Sequence, residues 1–317
     1  MRRPSSDGIA TPSRPSLVAH ADWSTSPAKR WLATAVERGG RYEALGPEPV
    51  GNPSTLLARL RDRAGADACV LVGFDFPIGL PEAYASAAGI ESFPDALVAF
   101  DERFYSVAEH AREISLARPF YPRRPGGTTR THLVEGLGVD SFDRLLRRCE
   151  RPSGSRRAAC ALFWTLGGQQ VGKAAITGWR DVLAPGRRVD LALWPFDGSL
   201  DSLLAPRRTV VVETYPTEVY AHLGVSLGGS KREREARAAS AAQLLAWARK
   251  AGVRLSSDLE EQLGLGFGSA PSGEDRFDAV VGLFGMLNVV LERRPAGDPQ
   301  DEAVRRIEGW ILGQTSS

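Results

Sequence analysis

The chain contains few of the residues that build zinc-rich or disulfide-linked folds. Its 317 residues include only three cysteines and four histidines. The cysteines are odd in number and lack metal-ligand spacing, and the histidines are scattered, so neither a disulfide framework nor a zinc site is expected. There is no secretory signal and no apolar run long enough to span a membrane. The sequence therefore predicts a protein of the reducing cytoplasm with no membrane partner.

Net charge excludes little by itself. Lys and Arg total 40 and Asp and Glu total 38, which gives a formal net charge of +2. The charge is unevenly spread, because residues 114–160 hold ten arginines and four acids, whereas residues 81–113 hold seven acids and two arginines. Any preference for a charged partner must therefore be local.

The sequence does contain several short apolar runs of the kind that form buried strands. A hydrophobic content of 43% is ordinary for a globular protein. The runs and the helical patterns between them predict an α/β fold with a mixed five-stranded sheet, an antiparallel hairpin meander followed by parallel strands, flanked by helices. The predicted core strands cover residues 16–22, 30–39, 41–46, 68–76 and 208–213. The main predicted helices cover residues 54–65, 217–223, 231–251, 258–263, 273–292 and 301–312.

The predicted domain organisation is simple. Residues 1–15 are expected to form a disordered tail, and residues 16–313 a single domain. A large, mostly helical insertion is expected at about residues 81–206, between two core strands.

Three of the apolar runs that predict these strands end on an acid, namely Asp22, Asp75 and Glu213. A carboxylate at the end of a buried strand needs a partner, a proton or a metal. Because ligands collect beyond the carboxyl ends of parallel strands, the three acids predict one acidic, cation-binding site. Simpler roles remain open, since Asp22 would also cap a turn and Glu213 would also lie near a helix N-terminus.

Two further acids, Asp275 and Asp278, lie three residues apart on the last long predicted helix, so they project from nearby faces. Asp275 also fits a capping box that begins at Ser272. Asp278 lies beyond the first turn, where capping does not explain it, and is the better candidate. Hard cations such as Mg²⁺ and Mn²⁺ prefer oxygen ligands, so a set of carboxylates favours these ions.

Basic residues are the candidates for substrate contact. Arg123, Arg124 and Arg130 lie in a loop that also contains aromatic residues, a combination suited to contacting phosphates and stacking on bases. A solvated surface loop is the alternative interpretation. Lys29 follows the first strand closely enough to contact a phosphate beside the acids.

The order of these acids resembles that of the ribonuclease H-like superfamily. More closely, the chain is similar to a family of predicted RNase H-like nucleases, domain of unknown function 429. The similarity spans about residues 16–293 and is most specific in the segment Asp-Phe-Pro-Ile-Gly-Leu-Pro. The matching segments are Asp22-Trp23-Ser24, Lys29-Arg30-Trp31, Asp75 to Pro81, Glu213-Thr214-Tyr215-Pro216 and Asp275 to Ala279.

This resemblance implies an RNase H-like sheet and a divalent-metal-dependent nuclease or phosphodiesterase. Asp22, Asp75 and Asp278 would bind Mg²⁺ or Mn²⁺, while Glu213 and Asp275 would be a further ligand, a supporting group or a water-positioning base. The substrate would be a nucleic acid or a nucleotide. Two alternatives remain: a non-catalytic nucleic-acid- or protein-binding module, and an ATP-dependent phosphotransferase of the actin-like or sugar-kinase type.

Overall fold

A computed structural model describes residues 14–152, 158–166 and 171–315 of the chain. Most of the tail predicted at residues 1–15 lies outside the described residues.

The predicted α/β class and mixed sheet are confirmed. The strands are β1 (Leu17–Asp22), β2 (Trp31–Arg38), β3 (Arg41–Ala44), β4 (Glu48–Pro49), β5 (Val70–Phe74), β6 (Leu191–Leu193), β7 (Thr209–Glu213) and β8 (Arg254–Leu255). Strands β1, β2 and β3 form the expected antiparallel meander, and β1 pairs in parallel with β5, which in turn pairs in parallel with β7. The order across the sheet is β6-β7-β5-β1-β2-β3-β8, with β4 paired to β2.

The prediction of five strands was too low, because the sheet has eight. The additional strands β4, β6 and β8 are two or three residues long. Strands β4 and β8 are too brief to show the alternation of side chains that reveals a strand in a sequence, whereas β6 lies within residues 189–198, whose sequence also predicts a strand.

Helices cover both faces of the sheet. Strand residues alternate between the two faces: Val18 packs in one apolar cluster, whereas Leu17 and Ala19 pack in the other. The helices are α1 (Leu56–Ala64), α2 (Glu82–Ala87), α3 (Phe93–Ala99), α4 (Thr131–Leu137), α5 (Val171–Gly178), α6 (Ala184–Arg187), α7 (Leu200–Leu203), α8 (Pro216–Leu223), α9 (Arg234–Ala239), α10 (Ala241–Ala251), α11 (Ser257–Gly264) and α12 (Ser272–Val290).

The longest of these helices, α12, packs across β1 and β2. Fourteen of its 19 residues are buried, among them Asp278. His20 of β1 lies against this helix, with its Nδ1 3.1 Å from the Ala279 carbonyl and its Nε2 2.8 Å from the Thr214 hydroxyl. Burial lowers the pKa of His20 to about 3, so this contact is made by a neutral ring.

The segment between β5 and β7 contains the region where the insertion was predicted. It includes α2 to α7 and strand β6, which joins the edge of the sheet beside β7. This segment therefore lies against the core sheet and also adds a strand to it.

Two helix predictions were wrong in extent. The helix predicted at 231–251 begins only at Arg234. It is also divided into two helices at Ser240, whose hydroxyl donates to the Arg237 carbonyl. The helix predicted at 301–312 is one short π-helical segment, Val304–Glu308. It ends at Gly309, which has a φ of +70°, and the chain then pairs Ile311 with Glu213 beside β7. No helix in the described part of the chain is long and apolar enough to cross a membrane.

Candidate functional site

Five acids line one cavity of about 460 Å³, among them Glu274 of helix α12. Asp22 ends β1 and Asp75 follows β5, and these neighbouring parallel strands are in register, with Ala21 opposite Phe74. Helix α12 adds Asp275 and Asp278 from its N-terminal half. The cavity therefore lies at the carboxyl ends of the strands, where the sequence predicted an acidic site.

Asp22 and Asp75 form a carboxyl pair. Their side chains hydrogen-bond to each other, and Asp75 Oδ1 also accepts a 2.7 Å hydrogen bond from the Trp23 backbone N–H. Burial, together with the neighbouring carboxylates, raises the pKa of Asp22 well above its usual range. Burial likewise raises the pKa of Asp75, to about 7, against the opposing effect of the Trp23 N–H. Burial and the proximity of the two carboxyls thus make this pair retain a proton more readily than two exposed acids would.

Asp278 is buried and engaged by two neighbours. Tyr220 of α8 donates its hydroxyl to Asp278 Oδ1 at 2.6 Å, and Lys231 donates its ammonium group to Oδ2. Lys231 Nζ also lies 3.4 Å from the carboxylate of Glu274. Burial raises the pKa of Asp278, and the nearby charge of Lys231 opposes this shift. Lys231 therefore supplies a positive charge at one of the acids predicted to bind a metal.

Asp275 does not act as the predicted helix cap. The residue before α12 is Pro271, and no side chain makes a capping hydrogen bond there. Within the described residues, the buried Oδ2 of Asp275 has no hydrogen-bond partner. Burial raises the pKa of Asp275, and the charge of Lys29 opposes the shift. Asp275 thus lines the cavity and has one buried oxygen that nothing described in the protein satisfies.

The segment after β1 is fixed by Trp23 and Arg30. The Trp23 indole N–H donates to Thr177 at 3.0 Å, and the Arg30 guanidinium lies 4.3 Å from the centre of the indole ring. Arg30 Nε also donates to the Ser24 carbonyl at 2.6 Å. Lys29 remains exposed and lines the acidic cavity, as its predicted contact with a phosphate requires.

Sequence reasoning missed Lys231 and Tyr220. Lys231 was predicted to begin the helix at 231–251, but it precedes α9 and lines the cavity. Its segment is held by the buried Arg237, which donates to the backbone carbonyls of Lys231 and Arg232 at 2.7 and 3.0 Å. The only available signal was the Gly-Gly-Ser that precedes Lys231, since such a segment does not favour a helix start.

The structure does not bring Glu213 to the cavity. Its carboxylate forms a two-pronged ion pair with the buried Arg147 at 2.6 and 2.7 Å. The same carboxylate accepts the Ile78 backbone N–H at 2.7 Å. With its oxygens occupied in this way, Glu213 holds the segment after Asp75 in place rather than facing a ligand.

The three arginines predicted to contact substrate also lie outside the cavity lining. Arg123 and Arg124 pair with Glu109, and Arg130 stacks 4.6 Å from the centre of the Phe142 ring. The neighbouring aromatic residues Phe120 and Tyr121 are buried, so their rings are not available to stack on bases. The alternative interpretation, a surface loop, describes this segment better.

As the side chains stand, the described residues contain no group of three or more His, Cys, Asp or Glu that could hold a metal ion. The hydrogen bonds just described give a physical reason. Asp75 accepts the Trp23 backbone N–H, and Asp278 accepts from Tyr220 and Lys231, so oxygens of both acids are already engaged. A cation at Asp278 would have to displace the Lys231 ammonium group.

Comparison of the chain with protein-family models, with curated proteins and with solved structures gives no match. What the site can do must therefore be argued from its own chemistry.

Proposed function

We propose that this protein is a divalent-metal-dependent phosphodiesterase that acts on a nucleic acid or a nucleotide. The observation that carries the proposal is that Asp22, Asp75, Asp275 and Asp278 line one cavity although they come from two strand ends and a helix. Acids separated by up to about 250 positions in sequence have little reason to share one buried space unless they share a ligand.

The sheet supports this proposal. Its central order β3-β2-β1-β5-β7, with an antiparallel meander followed by parallel strands, agrees with the RNase H-like arrangement that the sequence resemblance implies. The packing of α12 across β1 and β2 places the last acids of that resemblance beside the first.

The donor set fits Mg²⁺ or Mn²⁺. Asp22, Asp75 and Asp278 would hold the ion, with Asp275 as a further ligand, because carboxylate oxygens are the ligands that these hard cations prefer. The partnerless Oδ2 of Asp275 and the proton shared by Asp22 and Asp75 are both features that a bound cation would resolve. When bound, divalent ions stabilise the charge that builds on the attacking and leaving oxygens during phosphodiester cleavage.

The protein's own residues would orient the acids and the substrate. The Trp23 N–H fixes one oxygen of Asp75, and Tyr220 fixes one oxygen of Asp278. Lys29, Lys231 and Arg232 line the same cavity and are the cations available to a substrate phosphate. Were a metal bound at Asp278, the Lys231 ammonium group would be available to contact the phosphate.

One observation favours the non-catalytic alternative, a nucleic-acid- or protein-binding module. Lys231 already neutralises Asp278, and charges that are satisfied within the protein need no metal. In that case the acids would serve folding, and divalent ions would neither stabilise the protein nor support cleavage.

The test is a cleavage assay with labelled single- and double-stranded DNA and RNA, a hybrid, a four-way junction and a dinucleotide, each with Mn²⁺ or Mg²⁺. We expect wild type to cleave at least one substrate, and Asp22→Asn and Asp75→Asn to lose at least a hundredfold in rate because the metal loses an anionic ligand. The exposed Asp62, which does not line the cavity, gives the matched control Asp62→Asn, which should cleave as wild type does.

Thermal melting with Mn²⁺ provides a readout that does not depend on choosing the right substrate. Binding to the native state should raise the melting temperature of wild type and of Asp62→Asn, and Asp75→Asn should lose most of the increase. If Mn²⁺ raises the melting temperature of Asp75→Asn as much as that of wild type, or does not raise that of wild type, the proposed metal site is wrong. The non-catalytic binding module then remains as the explanation.

A further inference from the structure

A second cavity, of about 450 Å³, is lined by four arginines. It lies between the hairpin that joins β2 to β3 and the C-terminal ends of α10 and α12. No acid is among the described residues that line it. The arginines are Arg14, Arg41, Arg249 and Arg293.

This cavity is distinct from the acidic one. Asp275 and Asp278 belong to the first two turns of α12, whereas Arg293 follows its last turn. Because α12 has 19 residues, its ends are separated by about 28 Å at 1.5 Å per residue. The two cavities therefore lie at opposite ends of the same helix.

The four arginines are not neutralised by the part of the protein that the structure describes. All four are exposed, and none forms an ion pair with a described Asp or Glu. Elsewhere exposed or half-buried arginines do find acids, as Arg187 does with Asp197 at 2.6 Å. Four guanidinium groups around one cavity with no described acid in its lining give a local excess of positive charge, which attracts anions.

Helix dipoles compensate only part of this charge. The ends of α10 and α12 place carbonyl groups beside the cavity, and Arg293 donates to the Lys250 carbonyl at 3.1 Å. Each helix C-terminus is equivalent to about half a negative charge, so the two offset about one of the four positive charges. About three positive charges remain, together with most of the guanidinium N–H donors.

We propose that this cavity binds a small ligand carrying several phosphates, either inorganic triphosphate or the triphosphate of a nucleotide. Guanidinium groups bind phosphate oxygens through paired hydrogen bonds, and the remaining charge of about three is balanced by a ligand with several phosphates. The arginines surround one cavity rather than forming a line along the surface, which favours a compact anion over a nucleic-acid backbone. This site is independent of the proposed nuclease activity and goes beyond it.

The test is metal-free thermal melting and calorimetry with inorganic triphosphate, with adenosine triphosphate, and with sodium sulfate at matched ionic strength. We expect triphosphate to stabilise wild type and sulfate to do so weakly. The double variant Arg249→Gln/Arg293→Gln should bind at least tenfold more weakly. Arg103 and Arg305 are exposed and lie outside this cavity, so Arg103→Gln/Arg305→Gln is the control of equal charge change and should bind as wild type does.

The comparison of ligands identifies the source of the phosphates. Tighter binding of the nucleotide than of inorganic triphosphate assigns the site to a nucleotide, and the reverse assigns it to the free anion. Equal triphosphate affinity of the two double variants, or no triphosphate binding by wild type, would overturn the proposal. Tight binding of a single-stranded oligonucleotide by a protein that does not bind triphosphate would overturn it as well. Asp75→Asn should bind triphosphate normally, so failure of the acidic site and failure of this site are distinguishable.

Discussion

Asp75 lies between the Trp23 N–H, which donates to it, and the Asp22 carboxyl, with which it shares a proton. Burial raises its pKa to about 7, so the native state keeps a proton that an unfolded chain releases near pH 4. In the proposed metal site, a bound cation would take the place of this proton and of the Lys231 ammonium group at Asp278.

We expect this pair to make stability depend on pH. The folded-state pKa of Asp75 is raised, so its contribution to the free energy of unfolding is present below about pH 4 and decreases as pH rises to about 7. In Asp75→Asn the decrease should be smaller, and at pH 8 without metal the variant should be more stable than wild type by about 1–3 kcal/mol. Urea denaturation from pH 5 to 8 in a chelator measures this.

The control for that measurement is Asp62→Asn, whose pH profile should match that of wild type because Asp62 is exposed. A parallel profile for Asp75→Asn and wild type would show that Asp75 is already ionised in the folded protein.

At the scale of elements, α12 decides whether the acids meet. It lies close to β1 because Gly282 has no side chain at the point where the His20 ring crosses the helix. Periodicity predicted this helix within two residues of its ends, because its apolar residues repeat over five turns. Periodicity did not predict its contact with β1, which depends on a single missing side chain.

Gly282→Ala tests that contact. The added Cβ would lie 2.1 Å from the His20 ring, so the helix or the ring must move, at a cost of about 1–3 kcal/mol in the free energy of unfolding. The control Gly264→Ala, in α11, meets no atom within 4 Å and should leave stability unchanged or raise it by up to about 1 kcal/mol. Chemical denaturation of both variants gives the comparison, and equal stabilities would show that the contact is not tight.

At the scale of the whole molecule, one buried arginine joins three distant parts of the chain. Arg147 pairs with Glu150 beside it and with Glu213 at the end of β7, and it also donates to the Ile78 and Glu308 carbonyls. The network connects the segment between β5 and β7 to the sheet and to the C-terminal region.

We expect Arg147→Met to destabilise the protein by about 3–5 kcal/mol, because it leaves Glu213 and Glu150 buried without their cation. The matched control is Arg207→Met, which removes an exposed ion pair with Asp67 and should cost less than about 1 kcal/mol. Urea unfolding monitored by tryptophan fluorescence measures both. Should Arg147→Met fail to fold, Arg147→Lys, which keeps the charge, should fold with reduced stability. If Arg147→Met loses no more free energy of unfolding than Arg207→Met does, then Arg147 does not hold these parts of the chain together.

The sequence by itself determined the α/β class, the central strands and the acids at the ends of two of them. These features follow from local patterns: apolar runs that end on a carboxylate, and a long helical repeat that contains Asp278. Such patterns involve residues that are close in the sequence, so they can be recognised without knowing the fold.

Only the tertiary structure decided which charges meet. Glu213 and Asp75 follow similar strands, yet Glu213 faces Arg147, which is 66 positions away, whereas Asp75 faces Asp22. The four arginines of the second cavity come from four regions of the sequence, with no motif to connect them. Electrostatic pairing depends on distance in space and on burial, and neither is set by position along the chain.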